Sequence, residues 1–325
     1  MSEPKNTTTV YNINDIESFT VSNRSDNDNK NKLRENIVAS IINDEIPCEF
    51  YKKSTLWRNL KKELYNYIEK NLFNTKDIKT IKCIIKAGRK HNNDFEMIIN
   101  NTHAFQVEFK FNATKASETP QFVSPMKPSQ YLEKNFEEYF YENYLPKIVN
   151  LANGNIPDKE EYFKTIHGDK VECMKLFKEK YDTDKNFNKE CKKIDKEAIK
   201  QFIESSNLNI KKLSSYLLNS QNNKVYMCYK DGKVYYDKVN ENLYKIKKVE
   251  ERKSTNYICV TESGMKLEVR LRFKNGCGLQ FPALQIKRKI PFVKDLKLIC
   301  QKNNLTPPKL KKDICKLLDE NNIIY

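Results

Sequence analysis

The stretch from Ile78 to Phe111 constrains this chain more than any other. It reads IKTIKCIIKAGRK, then HNNDFEMIIN, then NTHAFQVEFKF. β-branched and aromatic runs are separated by Gly88 and by Asn pairs, which is the pattern of strands bounded by turns. Strands are expected over Ile78–Ala87, Asp94–Ile99 and His103–Phe111. The link at Asn100-Asn101-Thr102 is short enough to close the last two into a hairpin.

The apolar alternation fixes a parity. Phe95, Met97 and Ile99 alternate on one strand, and Phe105, Val107, Phe109 and Phe111 on the next. Residues directly opposite share a face, so Phe95 lies opposite Val107 or a residue of the same parity. Asp94, Glu108 and Lys110 then share the other face. A slip of one residue would bury all three in the apolar layer.

Two carboxylates and a lysine in one patch suit metal-assisted phosphodiester hydrolysis. Mg²⁺ takes hard oxygen ligands, often one or two carboxylates plus waters and substrate phosphate. It polarises the phosphate and acidifies a bound water. Lys110, two residues past Glu108, points to the same side and can orient that water or meet developing negative charge. The Phe109 carbonyl is a further candidate ligand.

Asp94, a hairpin, then Glu108-Phe109-Lys110 resembles the PD-(D/E)XK signature of restriction-endonuclease-like nucleases. The likeness spans about Leu56 to Leu145, as helix, three strands, helix. It implies an α/β (α+β) core, a mixed sheet flanked by helices. It also implies Asp94 and Glu108 as metal ligands and Lys110 as the catalytic lysine. Glu63, on the preceding helix, matches the position where some members carry an extra acidic ligand. Asn93 stands where the pattern has proline, and no Gln-x-x-x-Tyr follows the third strand. The bland alternative is a solvated strand face. The same triplet spacing recurs at Glu3/Lys5, Glu190/Lys192 and Glu251/Lys253.

Charge bears on the partner. Lys and Arg number 59 against 43 Asp and Glu, a net +16, which favours a polyanion. No apolar run reaches the roughly 18–20 residues of a spanning helix, and no signal-type apolar core opens the chain. An intracellular protein of cytoplasm or nucleus is expected, with no membrane partner. Nine cysteines lie singly without C-x-x-C and only three histidines occur, which disfavours structural zinc and fits reduced thiols. Neither G-x-x-x-x-G-K-[ST] nor G-x-G-x-x-G occurs, which disfavours an ATP-driven motor or a dinucleotide-binding oxidoreductase. The wealth of Asn, Lys and Ile fits an AT-rich genome, a large DNA virus among them.

In chain order, residues 1–30 are polar and expected to be disordered. Residues 31–150 are expected to hold the nuclease core, with helices over Asn31–Ile42 and from Ser54-Thr55 onward. A further helix is expected from Ser129 to Leu145, ended by Pro146. The loop after Phe111 carries Lys115 and Lys127, which could touch phosphate. Residues 151–222 read as a helical insertion, with His167 an ordinary helix-end or loop histidine rather than a catalytic base. Residues 223–290 are strand-rich, with a hairpin turn at Asp231-Gly232, and either complete the core sheet or form a separate recognition part. Glu268/Arg270 and Gln285/Lys287 are rival charged pairs there, and Lys287 and Arg288 are candidate phosphate contacts. In residues 291–325, Val293, Leu296 and Ile299, then Leu305, then Lys311, Ile314, Cys315 and Leu318 have a spacing that resembles a SAP-type helix–loop–helix module, a small C-terminal helical unit. By that resemblance Lys297, Lys309, Lys311 and Lys312 would contact phosphates.

The expected function is a Mg²⁺-dependent endonuclease cutting double-stranded DNA, of restriction type, with Mn²⁺ able to substitute. A repair or recombination nuclease is a variant of it. The alternatives are a non-catalytic DNA-binding protein with a degenerate nuclease fold and a packaging protein. A homodimer is an option, because many double-strand cutters pair, but the residues mark no interface.

Overall fold

The structure is a computed structural model that describes residues 11–20, 24–73, 77–86, 92–118, 120, 122–167, 175–274, 281–289, 293–306, 314 and 317–318. It is a mixed α/β protein with two sheets. The chain forms two compact units: Met1–Thr119 with Gln221–Val239, and Pro120–Ser220 with Asn240–Tyr325.

The first unit is built on a five-stranded sheet, β1 (Ile81–Ile85), β2 (Phe95–Ile99), β3 (His103–Phe111), β4 (Lys224–Lys230) and β5 (Lys233–Lys238), in that order. β1, β2 and β3 pair antiparallel, β3 pairs parallel with β4, and β4 pairs antiparallel with β5. Phe95 lies opposite Val107 and Met97 opposite Phe105. Asn100 and Asn101 make the turn with φ of 53° and 57°, a left-handed conformation asparagine tolerates. The first strand is shorter than its apolar run. Asn100 Oδ1 accepts the N–H groups of Lys79 and Thr80 at 2.7 and 3.1 Å, so the turn takes up donors just before β1. Ala87 and Gly88 lie outside the described residues.

The apolar face of this sheet carries the core. α1 (Arg24–Ile42) supplies Ile37 and Ile41 to it, Phe50 and Tyr51 of a short α2 (Cys48–Lys53) pack against it half-buried, and α3 (Thr55–Asn71) supplies Leu60, Leu64 and Ile68. These pack with Phe95, Met97, Val107, Phe109 and Met227. Ser54 sits at the N-cap of α3, but its side chain makes no capping bond. Arg58 binds the region instead, donating to the Tyr51 and Lys52 carbonyls and to Thr55 Oγ1.

The polar N-terminal stretch departs from the expected disorder. Ile13–Phe19 is a 3-10 helix with a capping box between Asn12 and Asp15. A 3-10 helix turns every three residues, so Ile13, Ile16 and Phe19 fall on one face. Ile16 and Phe19 are buried in the core. Trp57 Nε1 donates to the Ile13 carbonyl at 2.8 Å. Arg34, fully buried, donates to the Ser18 carbonyl from Nε and Nη2 at 2.8 and 2.6 Å. Its guanidinium lies 3.6 Å above the Phe111 ring.

β4 and β5 form the hairpin that Asp231-Gly232 marks in the sequence. Both turn residues are left-handed, at φ 49° and 80°. A Cβ on Gly232 would meet nothing within 4 Å, so backbone conformation alone asks for glycine there. This hairpin completes the first sheet, while the later strands form a sheet of their own.

The second unit holds that sheet, an antiparallel meander of β6 (Ile246–Lys253), β7 (Asn256–Thr261), β8 (Lys266–Lys274) and β9 (Phe281–Arg288). β6, with the charged sequence IKKVEERK, is not marked by apolar alternation and pairs through two irregularities. The unit's helices are α4 (Phe136–Asn143), α5 (Leu145–Leu151), α6 (Lys159–His167), α7 (Lys175–Thr183), α8 (Lys185–Ser205), α9 (Ile210–Asn219) and α10 (Val293–Lys302). The helix expected to run from Ser129 to Pro146 is thus broken, and it belongs to this unit rather than to the first. Asn135 caps α4, and Pro146 stands in the first turn of α5, where a missing N–H costs nothing. His167 ends α6, 3.5 Å from the buried Glu137 carboxylate. Leu296 and Cys300 of α10 cluster with Ile314 and Leu318. The second helix expected in residues 291–325 lies mostly outside the described residues. No described helix is long and apolar enough to cross a membrane.

Replacing Phe19 by Ala should lower unfolding free energy by about 3 kcal/mol, because its ring packs on Phe109, Phe111 and Tyr229. Urea denaturation reads this directly. A loss below about 1 kcal/mol would mean the N-terminal helix is not part of the core.

Candidate active site

Asp94 precedes β2 and Glu108 and Lys110 lie on β3, all on the sheet face opposite the Phe ladder. Asp94 Oδ2 accepts the Phe109 N–H at 2.8 Å, which fixes its carboxylate against β3. Lys110 Nζ donates to Glu108 Oε1 at 2.6 Å. Glu108 is 2% exposed and Lys110 19%. The three residues that the strand parity groups together are therefore in one place.

Two further charges join them that the sequence reading did not single out. Lys224 opens β4 on the same face, since Glu108 pairs with Tyr226 and Lys224 is two residues before it. Its side chain is 1% exposed, with Nζ 3.5 Å from Glu108 Oε2, an ion pair at the edge of hydrogen-bond range. The second is Glu35 of α1, close enough that its charge acts on both Asp94 and Glu108.

Burial and like charges set the electrostatics. Burial pushes the Asp94 carboxyl up, the negative charges of Glu108 and Glu35 push it further, and its pKa reaches about 7. Lys110 and the Phe109 N–H oppose this only in part. Glu35 is raised as well, first by burial and then by Glu108. Burial lowers Lys224, with Glu108 acting against it.

Glu63 is not among these groups. It faces the other edge of the sheet, where Oε2 accepts the Val234 N–H of β5 at 3.4 Å. α3 packs along β5, whereas α1 packs along β1, so the helix that brings an acid to Asp94 is the earlier one. Of the other candidates, Lys115 is exposed in the first unit. Lys127, Lys287 and Lys297 are exposed in the second, where Lys287 pairs with Glu268 at 2.8 Å. Arg288 is half-buried there, and Lys309, Lys311 and Lys312 lie outside the described residues.

The donor set suits a hard divalent cation. Glu108 Oε2 is buried without a hydrogen bond, and Asp94 is raised to about 7 by burial and then by neighbouring negative charge, the second of which a cation would relieve. Two carboxylates and water are what Mg²⁺ needs. Among the described residues no three His, Cys, Asp or Glu side chains form a ready-made cage, so water or substrate oxygens would complete the coordination.

The raised Asp94 pKa has a sign. The folded state holds its proton more tightly than the unfolded state, so stability falls as pH rises from about 4 to about 7. In metal-free buffer, Asp94→Asn should leave stability at pH 4 nearly unchanged and raise it at pH 8, by up to about 4 kcal/mol. Thermal melts across pH test this, and a wild-type advantage at pH 8 would contradict it.

Comparison with protein-family models, with curated proteins and with solved structures gives no match to this chain.

Proposed function

We propose that the first unit is a Mg²⁺-dependent nuclease centre, and that the chain is an endonuclease cutting duplex DNA, of restriction type. The observation that carries the reading is the convergence of Asp94, Glu108 and Lys110 on one sheet face, with Asp94 tied to the Phe109 N–H. It is reinforced by a mixed sheet with helices packed on its apolar face, part of the setting that the PD-(D/E)XK resemblance implies. Mn²⁺ is expected to substitute for Mg²⁺.

Asp94 and Glu108 would hold the metal, which supplies Lewis-acid polarisation of the phosphate and an acidified water. Glu35 adds a third negative charge from α1. Lys110 is the most solvent-accessible cation of the cluster, so its ammonium is the group free to swing from Glu108 toward an attacking water or a phosphate oxygen. Burial of Glu108 keeps water off its carboxylate and strengthens every charge interaction around it. The net charge of +16 draws a polyanionic substrate to the chain.

A second reading has its own observation. Glu108 lies between two ammonium groups, which is also what a purely structural ion cluster looks like. The chain would then be a DNA-binding protein without cleavage, with affinity falling steeply as salt rises.

Digestion of a long, sequence-diverse duplex with Mg²⁺ separates them. Wild type should give discrete fragments, and Glu108→Gln and Lys110→Met should each lose at least about 100-fold in rate while still binding DNA. A smear would keep the chemistry and remove sequence specificity. Binding without cutting under Mg²⁺ or Mn²⁺ would hand the case to the second reading. In the same assay Glu35→Gln should cut more slowly than wild type and Glu63→Gln at the wild-type rate. The reverse order would restore Glu63 as the helix acid.

A further inference from the structure

We propose that Lys224 is a positioning residue that stands in for a divalent cation at Glu108 Oε2, so that ammonium and metal compete for one oxygen. The inference rests on the metal reading of the pocket and goes beyond it, since it concerns what holds the pocket together before a metal arrives.

Three observations support it. Lys224 reaches Glu108 from β4, a different strand from the Glu108–Lys110 pair, and is as deeply buried as Glu108 itself. Glu108 is divided between two cations: Lys110 holds Oε1 at 2.6 Å, and Lys224 stands 3.5 Å from Oε2. The second contact is loose. A buried pair serving stability alone closes to about 2.7–2.9 Å and satisfies its oxygens, whereas Oε2 has no hydrogen bond. Oε2 is thus compensated in charge but open to a better ligand. Lys224 keeps the Glu108 carboxylate oriented before a metal arrives, and its unbranched stem lets the ammonium withdraw when a divalent ion takes the oxygen.

The consequence runs opposite to ordinary damage. Removing the Lys224 charge removes a competitor, so metal should bind more tightly. Mn²⁺ titration of the full chain, followed by the electron paramagnetic resonance of free Mn²⁺, tests this at pH 8 without DNA. Lys224→Met should bind Mn²⁺ at least about tenfold more tightly than wild type, and Lys224→Arg should stay near wild type. Lys224→Gln, which can still donate to Oε2 but carries no charge, should follow Lys224→Met and serves if the methionine variant does not fold. Equal or weaker Mn²⁺ binding by both neutral variants would overturn the proposal while leaving the metal site standing. If wild type and variants alike bind no Mn²⁺, the metal reading itself fails, and this proposal with it.

Discussion

A carboxylate buried in the middle of a sheet cannot stand alone, and the compensation of Glu108 governs how the first unit is assembled. An ionised group removed from water loses several kcal/mol of solvation unless charge and hydrogen bonds replace it, on the order of the whole stability of a domain. β3 therefore has two demanding faces. One carries Val107 and Phe109 into the apolar core, and the other carries Glu108 to Lys110 and Lys224. Neither face tolerates a shift of one residue. The register of Phe95 against Val107 and of Glu108 against Tyr226 follows from satisfying both at once.

Each oxygen of Glu108 has a lysine ammonium beside it, although Oε2 has no hydrogen bond, whereas Asp94 has no ion pair of its own among the described contacts. Asp94 keeps one backbone hydrogen bond but faces two other carboxylates, Glu108 and Glu35. Three acids gathered by three separate elements around two lysines are a poor way to stabilise a fold. An apolar trio of similar volume would serve better. Local conflict of this kind, set in an otherwise consistent fold, is where function is to be sought. A divalent cation would remove the conflict at Asp94, and that gives the metal reading its physical content.

The parts of the site legible in the sequence are those joined by short-range pattern. Alternation on β2 and β3 together with a tight Asn turn set the parity that gathers Asp94, Glu108 and Lys110. The Asp231-Gly232 turn likewise marks the β4–β5 hairpin. What was not legible depends on tertiary neighbours. Glu35 and Glu63 are both helix glutamates among apolar residues, and only the packing of α1 along β1 and α3 along β5 tells them apart. Lys224 reads as a strand-end lysine until β4 is laid parallel to β3. Its one local signal is that Lys224, Tyr226 and Cys228 share a parity on a strand that is buried on both faces. The N-terminal helix was hidden by averaging, because three apolar residues at a spacing of three are diluted by their polar neighbours.

The parallel β3–β4 pair adds a constraint that the antiparallel strands do not have. Parallel neighbours need a crossover, and here the crossover runs from Asn112 to Asn223 and includes the first segment of the second unit. The entropy of closing a connection grows only slowly with its length, so inserting that segment costs little in equilibrium stability. It costs more in folding time, because contacts distant in sequence form late. Glu108 and Lys110 are neighbours on β3, whereas Lys224 can reach Glu108 only when β4 pairs with β3. The division of Glu108 between a local and a distant cation thus ties completion of the charge cluster to completion of the sheet.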